Sequence, residues 1–302
     1  MAKRLHHPRG QIAWLQETCI EAFLLLSACL AIVATVGIVF TLVYESAAFF
    51  KTVSLTEFLT GTEWSPLFAN PKYGIMPLLG GTLVTTAVAL LFAIPVGTIT
   101  AIYLSEYANN RSREIIKPIL ELLAAVPTVV YGYFALLFVT PLLQKIIPGL
   151  SGFNMLSAGL VIGVMIVPYI SSLSEDAMRA VPMHMREGAY AMGSTKFQAA
   201  IRVVMPGALS GITAAYILGI SRAVGETMVV AIAAGMQPNF TLNPLEPAAT
   251  ITAYIVQVSL GDLPHDSIGY QSIFAAGLVL LMVTFFFNIL GYLFRKKFRE
   301  KY

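Results

Sequence analysis

The sequence predicts an all-α protein that crosses a membrane several times. Three observations carry that prediction. Of the 302 residues, 57% are hydrophobic and 12% are charged, against roughly 25% charged in an ordinary soluble domain. Six long segments contain no charged residue: 22–44, 78–103, 122–143, 155–174, 203–221 and 272–294. The basic residues fall almost entirely on one set of the connections between them.

Each segment is near the length of about 20 residues that a helix needs to span the hydrocarbon core. Backbone groups in lipid must be satisfied internally, so helices are the expected form. The short alternating segments of a transmembrane β-barrel are absent. Segment 22–44 is too long for the apolar part of a signal peptide and reads as a retained helix. Cys19 and Cys29 lie in or beside it and read as small buried side chains. Pro95, Pro127 and Pro168 sit within apolar segments and predict kinks. The fifth segment has an apolar continuation, 227–236, interrupted only by Arg222 and Glu226.

Sidedness follows from the cations. Lys3, Arg4 and Arg9, then Arg111, Arg113 and Lys117, then Arg179, Arg186, Lys196 and Arg202, and finally Arg295, Lys296, Lys297, Arg299 and Lys301 share one side. Only Lys51, Lys72 and Lys145 fall on the other. The positive-inside rule places both termini in the cytoplasm. The expected organisation is a cytoplasmic tail (1–21), a first span (22–44), an external loop (45–77), a five-span domain (78–294) and a second cytoplasmic tail (295–302). The other long external loop, 237–271, has no Lys or Arg and carries Pro238, Pro244, Pro247 and Pro264. Its semi-apolar run 248–260 reads either as a short interfacial or partner-facing helix or as a loop with its own packing.

The internal connection 175–202 is helical by pattern. Residues 187–192 read as a short helix, with Gly193 at its C-terminal cap. Ser194 is placed to cap a second helix, 195–204, which Pro206 and Gly207 close. A rigid helix–turn–helix on the cytoplasmic face can pass force from a soluble partner to the attached spans. Its spacing is specific: Glu187-Gly188-Ala189, three residues, Gly193, nine residues, then Val203-Val204-Met205-Pro206. No G-x-x-x-x-G-K-[ST] occurs, so the chain lacks that phosphate-cradling loop.

Arg222 and Glu226 fall inside the fifth span. A central arginine costs about 2.5–3.5 kcal/mol on insertion scales, and such residues face a bundle interior or an aqueous path. The i, i+4 spacing puts both on one helical face, where they can neutralise each other. One reading is a fixed ion pair that aligns helices. The other is that Arg222 offers charge to an anion in transit, with Glu226 holding or releasing it. Guanidinium suits carboxylate, sulfate and phosphate alike. Glu121 reads as a snorkelling residue at the start of the third span. Glu175 and Asp176 read as interfacial and receive no role. Gly159-x3-Gly163 and Gly207-x3-Gly211 permit close helix approach.

The coupling spacing resembles the E-A-A-x3-G-x9-I-x-L-P motif of ABC importer permeases, with Gly188, Val203 and Met205 as departures. Together with six spans and Ser221-Arg222-Ala223-Val224-Gly225-Glu226-Thr227, it looks like a type I ABC importer permease of the phosphate (Pst) system. The external segments Phe58-Leu59-Thr60-Gly61-Thr62-Glu63-Trp64-Ser65-Pro66, Pro244-Leu245-Glu246-Pro247 and Thr252-Ala253-Tyr254-Ile255-Val256-Gln257 resemble the PstC-like subunit rather than its PstA-like partner. The resemblance implies a MetI-like bundle with cytoplasmic coupling helices and a core of the second to sixth spans. It implies a homologous second permease subunit, two ATPase subunits that bind the ATP, and an external phosphate-binding protein. It makes Arg222 and Glu226 pathway residues. It makes Glu187, Gly188, Ala189, Gly193 and Pro206 the ATPase-coupling residues. No catalytic, metal or nucleic-acid site is expected, and the chain carries no cofactor of its own. The alternatives are a permease for another oxyanion, of the sulfate or molybdate class, and an ATPase-independent anion transporter. An enzyme is disfavoured: no H-E-x-x-H occurs, His184 is the only histidine near the internal face, and His6, His7 and His265 lie in tails or loops.

Overall fold

A computed structural model describes residues 11–297 other than Leu67, Ala69, Asp262 and His265. The tail residues Lys3, Arg4, His6, His7, Arg9, Arg299 and Lys301 lie outside the described residues, as does His265.

The first helix, α1 (Gln11–Phe49), runs well beyond the expected segment. Its middle is exposed around its whole circumference, as a helix facing lipid can be. Its hydroxyls satisfy themselves: Ser27, Thr35 and Thr41 each donate to the carbonyl four residues earlier at 2.9 Å. Cys19 and Cys29 are exposed on this helix, which corrects the expectation of burial. An apolar run predicts burial from water, and lipid supplies that as well as a core does.

The centre of the bundle is α3 (Met76–Ile102) packed along α7 (Met155–Arg179), with α11 (Leu209–Val224) laid on both. Met155, Ile162, Met165, Ile166 and Ile170 form the buried stripe of α7. Gly159 and Gly163 make the α3–α7 approach possible. A Cβ at Gly159 would sit 2.7 Å from the Val88 side chain, and one at Gly163 would sit 2.9 Å from the Ala89 carbonyl oxygen. In the other small-residue pair, a Cβ at Gly211 would strike Ala177. The last helix, α14 (Ile268–Lys297), packs against α1 and α11.

Among the described residues, four helices are individually long and apolar enough to cross a bilayer, and two bent pairs make up the remaining candidate spans. The expected third span differs most. The chain leaves α3 through a π-helical turn (Tyr103–Tyr107) into an amphipathic helix, α4 (Asn110–Ala125). It then turns by 90° into α5 (Thr128–Phe134), a π turn (Ala135–Val139) and α6 (Thr140–Gln144). Val126 is extended (φ −65°, ψ 131°), because the proline after it disfavours the helical region. The run 122–143 therefore joins the apolar last turn of α4 to a separate helix, and Glu121 is an exposed residue of α4, the first half of that bent pair. Pro95 and Pro168, by contrast, sit inside the continuous helices α3 and α7.

The hairpin expected at 187–204 is present with shifted ends. Helix α8 (Met183–Ala191) closes in a Schellman motif: Ser194 N–H donates to the Ala189 carbonyl at 3.1 Å and Gly193 N–H to Tyr190 at 2.9 Å. Gly193 takes φ +83°, the left-handed conformation that glycine adopts without cost. Thr195, rather than Ser194, caps α9 (Lys196–Ala199), in a reciprocal capping box with Gln198. Ser194 is already committed to the Schellman turn. A π turn (Ala200–Val204) and α10 (Met205–Gly207) follow, and the chain bends by 76° into α11.

The two long loops meet in a second apolar core. The short helix α2 (Leu55–Thr60) delivers Phe58, and α13 (Ile251–Ser259) delivers Ile251, Tyr254 and Val258. Trp64 lies edge-on to Tyr254 at 5.0 Å between centroids, and Phe49 lies edge-on to Phe58 at 5.6 Å. Burial pushes the Tyr254 hydroxyl up, so it stays protonated and shares a 2.6 Å hydrogen bond with Ser272. Run 248–260 thus contains a short helix, as one reading expected, and that helix packs within the chain.

Replacing Gly159 by isoleucine forces α3 and α7 apart, and overpacking of this kind costs typically 1–3 kcal/mol. The expected result is a lower yield of monodisperse protein on size-exclusion chromatography. The same change at Gly37, where a Cβ meets nothing within 4 Å, leaves the yield unchanged.

Candidate translocation site and coupling surface

The fifth span is broken where its charges sit. Helix α11 ends at Val224 with Gly225 as its C-cap, and α12 (Met228–Ala233) starts after Thr227. Arg222 belongs to the last turn of α11, whereas Glu226 lies in the break. Their spacing therefore does not define one helical face. Among the described residues no salt bridge joins them.

Each has other partners. The Arg222 guanidinium carbon lies 4.4 Å from the centroid of the Tyr169 ring on α7. Its Nε is buried without a hydrogen-bond partner, as is the Ser221 hydroxyl beside it. Glu226 is buried; its Oε1 accepts from the Val229 N–H at 3.4 Å, and its backbone carbonyl accepts from the Thr252 hydroxyl at 2.7 Å. Its carboxylate thus serves the first turn of α12, and the break is tied to α13. A cation over an aromatic face gains about 0.5–2 kcal/mol without using an N–H donor. The arrangement keeps a positive charge in place while its donors remain available.

The residues expected to couple to an ATPase lie on the α8–α9 hairpin and at α10. Glu187, Gly188, Gly193 and Pro206 are exposed and Ala189 is half-buried. Exposed Met183, Met192 and Phe197 lie on the same hairpin. Beneath it, buried Arg186 is a staple. It donates to the carbonyls of Val181 (2.5 Å) and Met178 (2.7 Å) and pairs with Glu106 at 3.1 Å. One side chain thereby ties α8 to the end of α7 and to the π turn after α3.

A second ionic cluster escaped sequence reasoning. Glu175 is fully buried near the end of α7, 2.8 Å from Arg113, 3.0 Å from Lys117 and 3.8 Å from Arg179. Lys117 also pairs with Asp176 at 3.0 Å. The signal was present: Ser171 and Met178, four residues before and three after, are buried on α7, so helical periodicity places Glu175 on the same stripe.

Residues 93–300 match the family of binding-protein-dependent transport system inner membrane components. The chain belongs to this family. This permease is 35% identical to a probable ABC transporter permease protein, YqgH, of Bacillus subtilis, over 79% of its own length and 77% of the relative's. It is 34% identical to the phosphate transport system permease protein PstC of Xylella fastidiosa, over 76% of its length and 75% of the relative's. In architecture it is similar to a chain of a bacterial alginate ABC transporter crystallised with its periplasmic protein (TM-score 0.61, 17% identity, 92% of each chain). The permease therefore has the all-α type I ABC importer (MetI-like) fold expected from its sequence.

Removing one partner of a buried ion pair costs roughly 3–5 kcal/mol, because the other charge is left uncompensated. Glu106→Ala therefore lowers the thermal unfolding midpoint of the detergent-solubilised permease. Asp176→Ala, at a carboxylate 59% exposed, changes it little.

Proposed function

We propose that the chain is the PstC-like subunit of an ATP-driven importer that moves inorganic phosphate across the plasma membrane. The observation that carries the proposal is its similarity to permeases named for phosphate transport, extending over three quarters of both chains. The site chemistry supports it: Arg222 presents a guanidinium with no carboxylate partner among the described residues, suited to an oxyanion.

In this reading a homologous, PstA-like permease completes the pathway. Two ATPase subunits bind ATP, and an external phosphate-binding protein delivers substrate to the loops that form the Phe58–Trp64–Tyr254 core. Both termini are cytoplasmic. The five-span domain, 78–294, carries the pathway and the coupling hairpin, and α1 is peripheral. Arg222 receives the anion at the broken fifth span. Glu226 shapes that break through Val229 and Thr252. ATP-driven closure of the ATPases pushes on Glu187, Gly188, Ala189, Gly193 and Pro206, and the Arg186 staple passes the motion to α7 and α3.

The test is uptake of radiolabelled phosphate by cells lacking this subunit and complemented with it. Subunit-dependent, ATP-dependent uptake that excess sulfate does not reduce is expected; block by sulfate would move the reading to another oxyanion. Arg222→Ala should leave assembly intact and stop uptake. Normal uptake at normal expression removes Arg222 from the pathway. A Glu187→Ala complex should hydrolyse ATP without proportionate transport, and unaltered coupling counts against the docking role.

A further inference from the structure

A cavity of about 500 Å3 lies between the α8–α9 hairpin, α4 and the ends of α3 and α7, and the pathway does not use it. Four cationic side chains line it: Arg113 from α4, Arg179 from the end of α7, Arg186 from α8 and Lys196 from α9. Glu106 is the lining carboxylate. Arg186 is spent on Glu106 and two carbonyls. The others retain donors. Arg113 reaches Glu175 through Nη2 while its buried Nε has no hydrogen-bond partner. Arg179 is 3.8 Å from Glu175 and about half exposed. Lys196 has no carboxylate partner among the described residues. The first turn of the 16-residue α4 begins at Asn110, also on the wall, and adds the positive end of a helix dipole.

Four cations against one lining carboxylate, with Lys196 free of a carboxylate partner among the described residues, favour an anion of more than one charge. Arginine and lysine donors together suit phosphate oxygens. We propose that this cavity is a cytoplasmic site for a phosphate group, either inorganic phosphate or the headgroup of an anionic lipid, whose binding clamps the coupling hairpin to the spans. Its donors come from α4, α7 and α9, so one occupant bridges the α8–α9 hairpin to α4 and α7. Accumulated phosphate would then restrain the element that must move in each cycle. This regulatory consequence rests on the phosphate-importer reading; the binding site itself does not.

Binding is tested first on the purified complex in neutral detergent without nucleotide, by equilibrium dialysis with radiolabelled inorganic phosphate. The double variant Arg179→Gln, Lys196→Gln should lose one bound equivalent per copy of this chain, whereas Arg222→Ala should keep it. Arg179→Lys, which keeps the charge, should also keep the equivalent and so separates lost binding from lost folding. Displacement of the phosphate by added phosphatidylglycerol assigns the site to a lipid headgroup, and persistence assigns it to the free anion. An unchanged stoichiometry in the double variant overturns the site. The clamp is tested in proteoliposomes containing the whole importer. Phosphate loaded on the hairpin side should slow uptake several-fold in the wild type and not in Arg179→Gln, each rate taken relative to that of the same protein when none is loaded. Equal slowing of both overturns the clamp. Absence of uptake in the wild type overturns the importer reading and leaves the dialysis result to decide the site.

Discussion

A guanidinium inside an apolar bundle costs about 2.5–3.5 kcal/mol on insertion scales, and the usual remedy is a carboxylate. Arg222 has a tyrosine ring instead. The ring lowers the cost of burying the charge without neutralising it, and the bundle around it is arranged to make that possible. Helix α7 carries Tyr169 on a stripe held against α3 by Gly159 and Gly163. Gly225 stops α11 before Glu226 can come round to the same face. The break is itself supported, with Val229 and Thr252 donating to Glu226. Non-helical backbone at membrane depth persists where it is buried in protein or lines a cavity, and buried Glu226 meets that condition.

The end that carries the α8–α9 hairpin follows the opposite logic. There the buried charges are compensated, and compensation holds helices in register. Glu175 is surrounded by Arg113, Lys117 and Arg179, fixing α4 to α7. Arg186 is held by Glu106 and two carbonyls, fixing α8 to both neighbours. A hairpin closed by a Schellman turn and a capping box is stiff within itself. Stiffness of the hairpin and firm anchoring beneath it suit the force transmission proposed for it. An arginine without a carboxylate partner at the centre thus contrasts with ion-paired charges at the hairpin end.

Much of this was legible in the sequence because the governing signals are local. Uncharged segments of near-bilayer length reveal the spans, and the spacing from Glu187 to Pro206 reveals the hairpin. Small residues four apart mark a close helix approach, and the structure supplies α3 as the partner of α7. What escaped depends on where helices end. The kink expected at Pro127 is there, but as a 90° break that ends α4 at Ala125, whereas the hydropathy runs through without a mark. Gly225 ends α11 and dissolves the expected Arg222–Glu226 face. Tyr169 lies more than fifty residues from Arg222, so only the packing of α7 on α11 brings them together. Burial of Glu175 could have been read from the periodicity of α7, but its cations come from another helix.

The central claim is that the charge of Arg222 is held by Tyr169 and not balanced by Glu226. It is tested most directly by the half-saturating phosphate concentration for uptake in two variants measured side by side. Tyr169→Leu removes the ring face, and losing about 0.5–2 kcal/mol raises that concentration roughly 2- to 30-fold. Glu226→Gln keeps an oxygen for the Val229 N–H and should stay close to the wild type. A silent Tyr169→Leu together with a Glu226→Gln protein that no longer takes up phosphate would contradict the account and restore the carboxylate as the partner of Arg222.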